Sequence, residues 1–351
     1  MTELIVRKLR FAFADHHVPF LWNESNPAFS SMANAVSFLA IAFEKMIGQM
    51  IPEAMPLITD PVIAEEADAF VRQEGQHSMG HRQHAKGLIK SYPGLKETLD
   101  EVIAEEADAF VRQEGQHSMG HRQHAKGLIK SYPGLKETLD EVIAAFDDLT
   151  ANKPLKYRLA YTADLEATFT PVFKLMLDHD DTLFAPGDDR VASLFLWHFV
   201  EEVEHRSSAL IIYDAVANDP WYRMRMAPSI FRHVWSVLRI ACEGFNKHVP
   251  LEDRKIDALS MFGMQARKKS LLQHLPFVDA PNDGPIENAF RHLPAREVMV
   301  AMSGAVRSQI PGHNPAHEKL PALADEWFAR YEAGYEVTQW YTAGKTTGAG
   351  V

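Results

Sequence analysis

Residues 62–104 recur without a mismatch as residues 102–144, an offset of 40 positions over 43 residues. Two identical segments must therefore settle into different surroundings within one fold. Solenoid arrays repeat several times and their units diverge. A single perfect repetition is instead a recent tandem duplication or an error of sequence assembly, and the parent chain is shorter by one copy. The repeat also inflates the count of 17 histidines, because His77, His81 and His84 return as His117, His121 and His124.

Few runs alternate at period two, whereas apolar residues recur at helical spacing throughout. Val36, Leu39, Ala40, Phe43, Ile47 and Met50 predict a helix over 33–50, closed by Pro52. A second helix is predicted over 61–90, with Pro61 in its first turn and Tyr92-Pro93-Gly94 at its end. The second copy repeats it over 102–130, and a continuous helix over 95–130 is allowed. Further helices are predicted over 155–177 and 189–216, and then near 229–247, 251–274 and 321–341. Residues 276–285 read as a loop and 344–351 as a frayed tail. The class is all-α, and short connectors favour antiparallel neighbours in a bundle. The expected division is a bundle over 1–220, including the duplication, with C-terminal helices over 221–351 packing on it.

Composition narrows the function. Hydrophobic residues make up 46% and charged residues 24%, which is ordinary for a globular chain. The balance of 36 basic against 47 acidic residues disfavours nucleic acid as a partner. Cys242 is alone, so neither a disulfide framework nor a cysteine zinc cluster is expected. Met1 to Phe20 carries charges throughout and reads as no secretion signal. The most apolar helical run is taken as Ser229–Phe245, which Arg232, Arg239 and Glu243 interrupt, so no transmembrane segment is expected. A soluble cytoplasmic protein is the expectation.

Four predicted helices place a carboxylate where the pattern asks for an apolar residue: Glu44, Glu74, Glu166 and Glu202. A buried ionised carboxylate costs several kcal/mol unless a cation compensates, and these stripes hold few lysines or arginines. Glu74–His77 and Glu202–His205 are both Glu-x-x-His, which puts carboxylate and imidazole on one helix face. Two such pairs interleaved with two carboxylates form the ligand set of ferritin-like dinuclear carboxylate bundles. Glu44, Glu74, His77, Glu166, Glu202 and His205 are thus the expected metal ligands. His198 shares a stripe with Glu202 and His205 as an added ligand. His81, or its copy His121, is an extra ligand or a group orienting one. Glu114 and His117 are the alternatives to Glu74 and His77. Copy one keeps the short connector from the first helix and copy two keeps the connector to the third. The copies are identical, so local energetics cannot choose between them, and the choice is near even with a slight lean to the first. The unused copy would pack outside or on a neighbouring chain, which allows a homodimer. Glu201 and Glu204 read as solvated.

These same residues carry a resemblance. Asn34-Ala35-Val36-Ser37-Phe38 leading to Glu44, Phe70-Val71-Arg72-Gln73-Glu74-Gly75-Gln76-His77, Leu165-Glu166, and Trp197-His198-Phe199-Val200-Glu201-Glu202-Val203-Glu204-His205 resemble the bacterial "predicted metal-dependent hydrolase" family. Ile5-Val6-Arg7 and Pro311-Gly312-His313-Asn314-Pro315 resemble its terminal segments. The family itself resembles ferritin-like di-iron proteins, and the His198, Glu202, His205 arrangement looks like that of di-iron arylamine N-oxygenases. The ligand inventory suits two iron ions, with manganese or zinc as substitutes. The expected activity is a di-iron oxidase or oxygenase acting on a small, mostly apolar substrate, with Phe43, Phe70, Phe169 and Phe195 lining its pocket. Pro171 is expected to open the bundle beside the metals. A two-metal hydrolase and a non-catalytic ferritin-like metal-binding protein are the alternatives.

Overall fold

A computed structural model describes Arg7, Leu9, Phe11, Phe13, residues 17–58, Ile63, and residues 113–204, 206–262 and 284–342, without the side chains of 113–119 and Ala316. The helices are α1 (Pro27–Ala54), α2 (Gln113–Ser131), α3 (Leu135–Asn152), α4 (Leu155–Leu177), α5 (Asp180–Leu183), α6 (Asp189–Glu204), α7 (Ser208–Val216), α8 (Pro220–His248), α9 (Leu251–Arg254), α10 (Ala295–Arg307) and α11 (Ala322–Glu332). Short 3-10 turns lie at Met55–Leu57, Ala258–Phe262 and Pro315–His317. No strand occurs among the described residues, so the chain is all-α as its periodicity predicts.

Helix α1 begins before the predicted 33–50 because Asn26 caps it. The Asn26 side chain accepts from the Phe29 N–H at 3.1 Å, and Pro27 occupies the first turn, where no N–H is needed. Pro52 falls inside the helix, so the end comes at Ala54. Helices α2, α3, α4 and α8 all pack on α1, which buries it on nearly every side. A helix surrounded in this way is apolar all round. Among the described residues, Pro27–Leu57 is the one segment long and apolar enough to cross a membrane, and 78% of its most apolar window is buried in the fold. It, and not Ser229–Phe245, is the most apolar of the long helices among the described residues.

Helices α1 and α6 each touch both α2 and α4, which closes a ring of four contacts. Gly120 makes one of these close. A Cβ there would stand 2.6 Å from Leu194 Cδ1, so a larger residue would require the Leu194 side chain to shift. Around the ring, α3 lies against α1 and α8, while α7, α8 and α10 cover α4. Buried Arg223 of α8 pairs with buried Asp164 of α4 at 2.8 Å and donates to the Ser308 carbonyl. One apolar core runs from Phe11 to Trp340.

The predicted 189–216 helix is two helices. Arg206 donates to the carbonyls of Val203 (2.6 Å) and Glu204 (3.4 Å), ending α6 at groups that continuation would have bonded. The same guanidinium reaches the carbonyls of Pro315 and Glu318, tying this break to the C-terminal turn. Helix α8 starts earlier than predicted because Asp219 accepts from the Tyr222 N–H. Of the predicted 251–274 helix, only Leu251–Arg254 and the 3-10 turn to Phe262 are described. Helices α3 and α10 were not predicted. The predicted 61–90 helix, the loop over 276–285 and the tail lie outside the described residues, apart from Ile63, Gly284 and Pro285. The helix runs unbroken through Pro171, against which α10 packs so closely that a Cβ on Gly304 would stand 2.9 Å from the ring.

Candidate metal centre

Three helices deliver the central cluster. Glu44 of α1, His121 of α2 and His198 of α6 are buried, and each places a ligand-type atom within 4.8 Å of the others. Glu44 and His198 sit on stripes that the helical period turns inward. Phe195, one turn before His198, packs its ring against those of His121 and His124 at 5.4 and 5.7 Å.

The polar atoms form a chain. His198 Nε2 lies 3.0 Å from Glu202 Oε1, and its Nδ1 lies 2.6 Å from His121 Nε2. His121 Nδ1 lies 2.8 Å from Ser37 Oγ, which also meets His124 Nδ1 at 3.0 Å. A carboxylate only accepts, so His198 Nε2 donates to it. With neutral rings, His121 Nε2 then donates to His198, Ser37 donates to His121, and His124 donates to Ser37. Burial pushes the His124 imidazole down to about 3, which keeps that ring neutral.

Glu166 is buried on α4 but is not part of the three-residue cluster, and Glu202 joins it through His198. Glu74, His77, His81, His205 and Phe70 lie outside the described residues, as do the side chains of Glu114 and His117 on α2. The helix beside α1 and α6 comes from the second copy, against the slight lean to the first. Ser37 and His124 were missed as site residues. The available signal was spacing: Ser37 is two turns before Glu44, and His124 is three residues after His121. The solvated reading of Glu201 and Glu204 is overturned. Glu201 is fully buried and pairs with buried Arg7 at 3.2 Å, and Glu204 pairs with the same guanidinium at 2.7 Å. Arg7, which makes both ion pairs to α6, also stands 4.4 Å over the Phe328 ring of α11.

A cavity of about 110 Å³ adjoins the cluster, with Glu44, His198 and Glu202 in its wall. Its remaining lining is apolar, including Phe43, Phe169 and Phe173. Phe195 is not in the wall, because its ring is engaged by the histidines and Trp22.

The family described as "Predicted metal-dependent hydrolase" matches the chain twice, over residues 5–91 and 87–278. The chain belongs to this predicted metal-dependent hydrolase family. No curated protein and no solved structure matches it. The first family match takes in copy one as far as Ser91 and the second takes in copy two, so the match divides within the duplicated region. Its second match spans α2 to α9 and ends at Val278, short of Pro311–Pro315. A metal-dependent family and a buried Glu–His–His cluster agree on a candidate cation site.

Proposed function

We propose that the chain is a di-iron oxidase or oxygenase acting on a small apolar substrate. The observation carrying this is the position of Glu44, His121 and His198, converging from three helices in a buried region beside an apolar cavity. The donor set fits a cation: one carboxylate oxygen and two imidazole nitrogens are ligands of intermediate hardness, as iron and manganese prefer. Glu44, His121 and His198 would hold it, with Glu202 and Glu166 supplying further carboxylates, and His117 and His205 being the sequence candidates beside them. Iron, when bound, supplies the redox couple for reaction with dioxygen. The net chemistry places one oxygen atom of dioxygen on the substrate and releases the other as water, using two protons and two electrons from an external reductant.

The chain's own residues have definable tasks. Ser37 holds the His121 ring, and Glu202 holds the His198 ring, each through a hydrogen bond. The apolar wall excludes water and positions an apolar molecule against Glu44 and His198.

The family description favours a second reading, a metal-dependent hydrolase. The apolar lining beside Glu44, His198 and Glu202 accommodates a small apolar substrate in either reading. Oxygen uptake by the iron-loaded, reduced protein separates the two, because hydrolysis consumes no oxygen. Purified protein is expected to bind about two irons per chain, the count typical of such sites. Glu44→Ala combined with His198→Ala should abolish that binding. Full iron retention by a folded double variant would overturn the assignment.

A further inference from the structure

The cavity wall holds four phenylalanines, Phe43, Phe169, Phe173 and Phe262, and the first three stand in a definite mutual arrangement. Phe43 and Phe169 stand edge to face, at 89° and 6.1 Å between centroids. Phe169 and Phe173 are stacked, at 15° and 4.8 Å. Leu39, Leu165 and Leu238 contribute to the remaining wall, and α1, α4 and α8 hold these residues on helices. The volume of about 110 Å³ is the scale of one ring. An engineered protein cavity of roughly 150 Å³ lined by apolar side chains alone takes up benzene; here Glu44, Glu202 and His198 interrupt an otherwise apolar wall.

Charge narrows the occupant further. Among the described residues the lining includes Glu44 and Glu202 but neither lysine nor arginine. In the metal-free protein a carboxylate or phosphate on the ligand would be desolvated there against two acidic side chains. An aromatic ring, in contrast, can set its edge against one phenylalanine face and its own face against another.

We infer that the cavity is a binding site for an uncharged, single-ring aromatic molecule, held by Phe43, Phe169 and Phe173 with one edge toward Glu44 and His198. This rests on reading the cavity as the substrate chamber of the proposed enzyme. It commits to a ligand class that reading leaves open.

Calorimetric titration of metal-free, full-length protein with toluene tests it, with benzoate and n-hexane as comparison probes. Toluene should bind saturably at one site per chain, and benzoate and n-hexane each at least about tenfold more weakly. Ala40→Leu fills the cavity from α1 and should weaken toluene binding by about tenfold or more. Phe169→Leu, which removes the ring yet keeps an apolar side chain, should erase the preference for toluene over n-hexane. Circular dichroism of each variant establishes that it is folded. Absence of saturable toluene binding to folded parent protein overturns the inference, as does equal affinity for benzoate or n-hexane, or indifference to both substitutions. Metal analysis of the same preparations keeps the two ideas apart. Toluene binding by a protein that takes up no iron sinks the oxidase and leaves this site standing, and iron uptake without toluene binding does the reverse.

Discussion

Glu44 and Glu202 are each only 2–3% exposed, on helices whose other inward residues are mostly apolar. Such positions are expensive for a carboxylate, and that expense made them legible before any coordinates. Ser37 stands two turns before Glu44, but a small uncharged residue on an apolar face demands no compensating partner, so spacing was its one signal. Yet its hydroxyl contacts two imidazoles at once. Ser37→Ala should let the His121 ring turn and weaken metal binding by about 10- to 100-fold, the usual cost of losing an orienting partner. Ser37→Thr, which keeps the hydroxyl, should retain most of the affinity. Competition against a chromophoric chelator measures both, and equal affinity of Ser37→Ala and the parent would remove the positioning role. Arg7 is a second case. Its guanidinium compensates fully buried Glu201 and also meets Glu204 and Phe328. Arg7→Ala leaves a buried carboxylate without that cation and should cost about 3–5 kcal/mol in urea unfolding. A loss below about 1 kcal/mol would show that Glu201 does not depend on it.

At the scale of elements, the predicted 155–177 helix coincides with α4, whereas α3 and α10 went unread. Helix α10 leaves Met299, Val300 and Val306 exposed, so its apolar residues do not mark one buried face. Helix α3 straddles the end of the repeat, whose pattern drew attention to the helix before it. The break between α6 and α7 depends on Arg206 reaching a turn more than a hundred residues away, and no local pattern encodes that. Where α3, α4 and α8 meet, His233 accepts from the Tyr161 hydroxyl at 3.0 Å and donates to the Ala145 carbonyl at 3.3 Å. Burial lowers its proton affinity, and the opposing effects of that carbonyl and Asp148 are smaller, while Lys153 adds to the lowering. The unfolded chain therefore binds this proton more readily than the folded one. Stability from His233 is complete above the ordinary imidazole range of about 6.5 and is lost as pH falls through it. His233→Gln keeps hydrogen-bonding capacity without titrating, so its unfolding free energy should fall less between roughly pH 7 and pH 5 than that of the parent. Parallel curves for the two proteins would assign the acid sensitivity elsewhere.

For the whole molecule, the consequence of the duplication can be tested directly. The second copy supplies α2, including His121 and His124, and its end forms the first part of α3. Removing residues 62–101 joins Pro61 to Val102 and leaves every residue of α1 to α11 in place. The junction brings the end of α1 nearer in sequence to α2, and a shorter connection loses less entropy on closure. The shortened chain should keep the far-ultraviolet helical signature, bind metal with the same stoichiometry, and unfold at the same temperature or a few degrees higher. Removing residues 102–141 gives the identical polypeptide, because the copies match position for position. A single variant therefore decides whether the fold needs the additional 40 residues. Failure of that variant to fold, or loss of its metal while the full chain retains it, would mean that copy one has become part of the working structure.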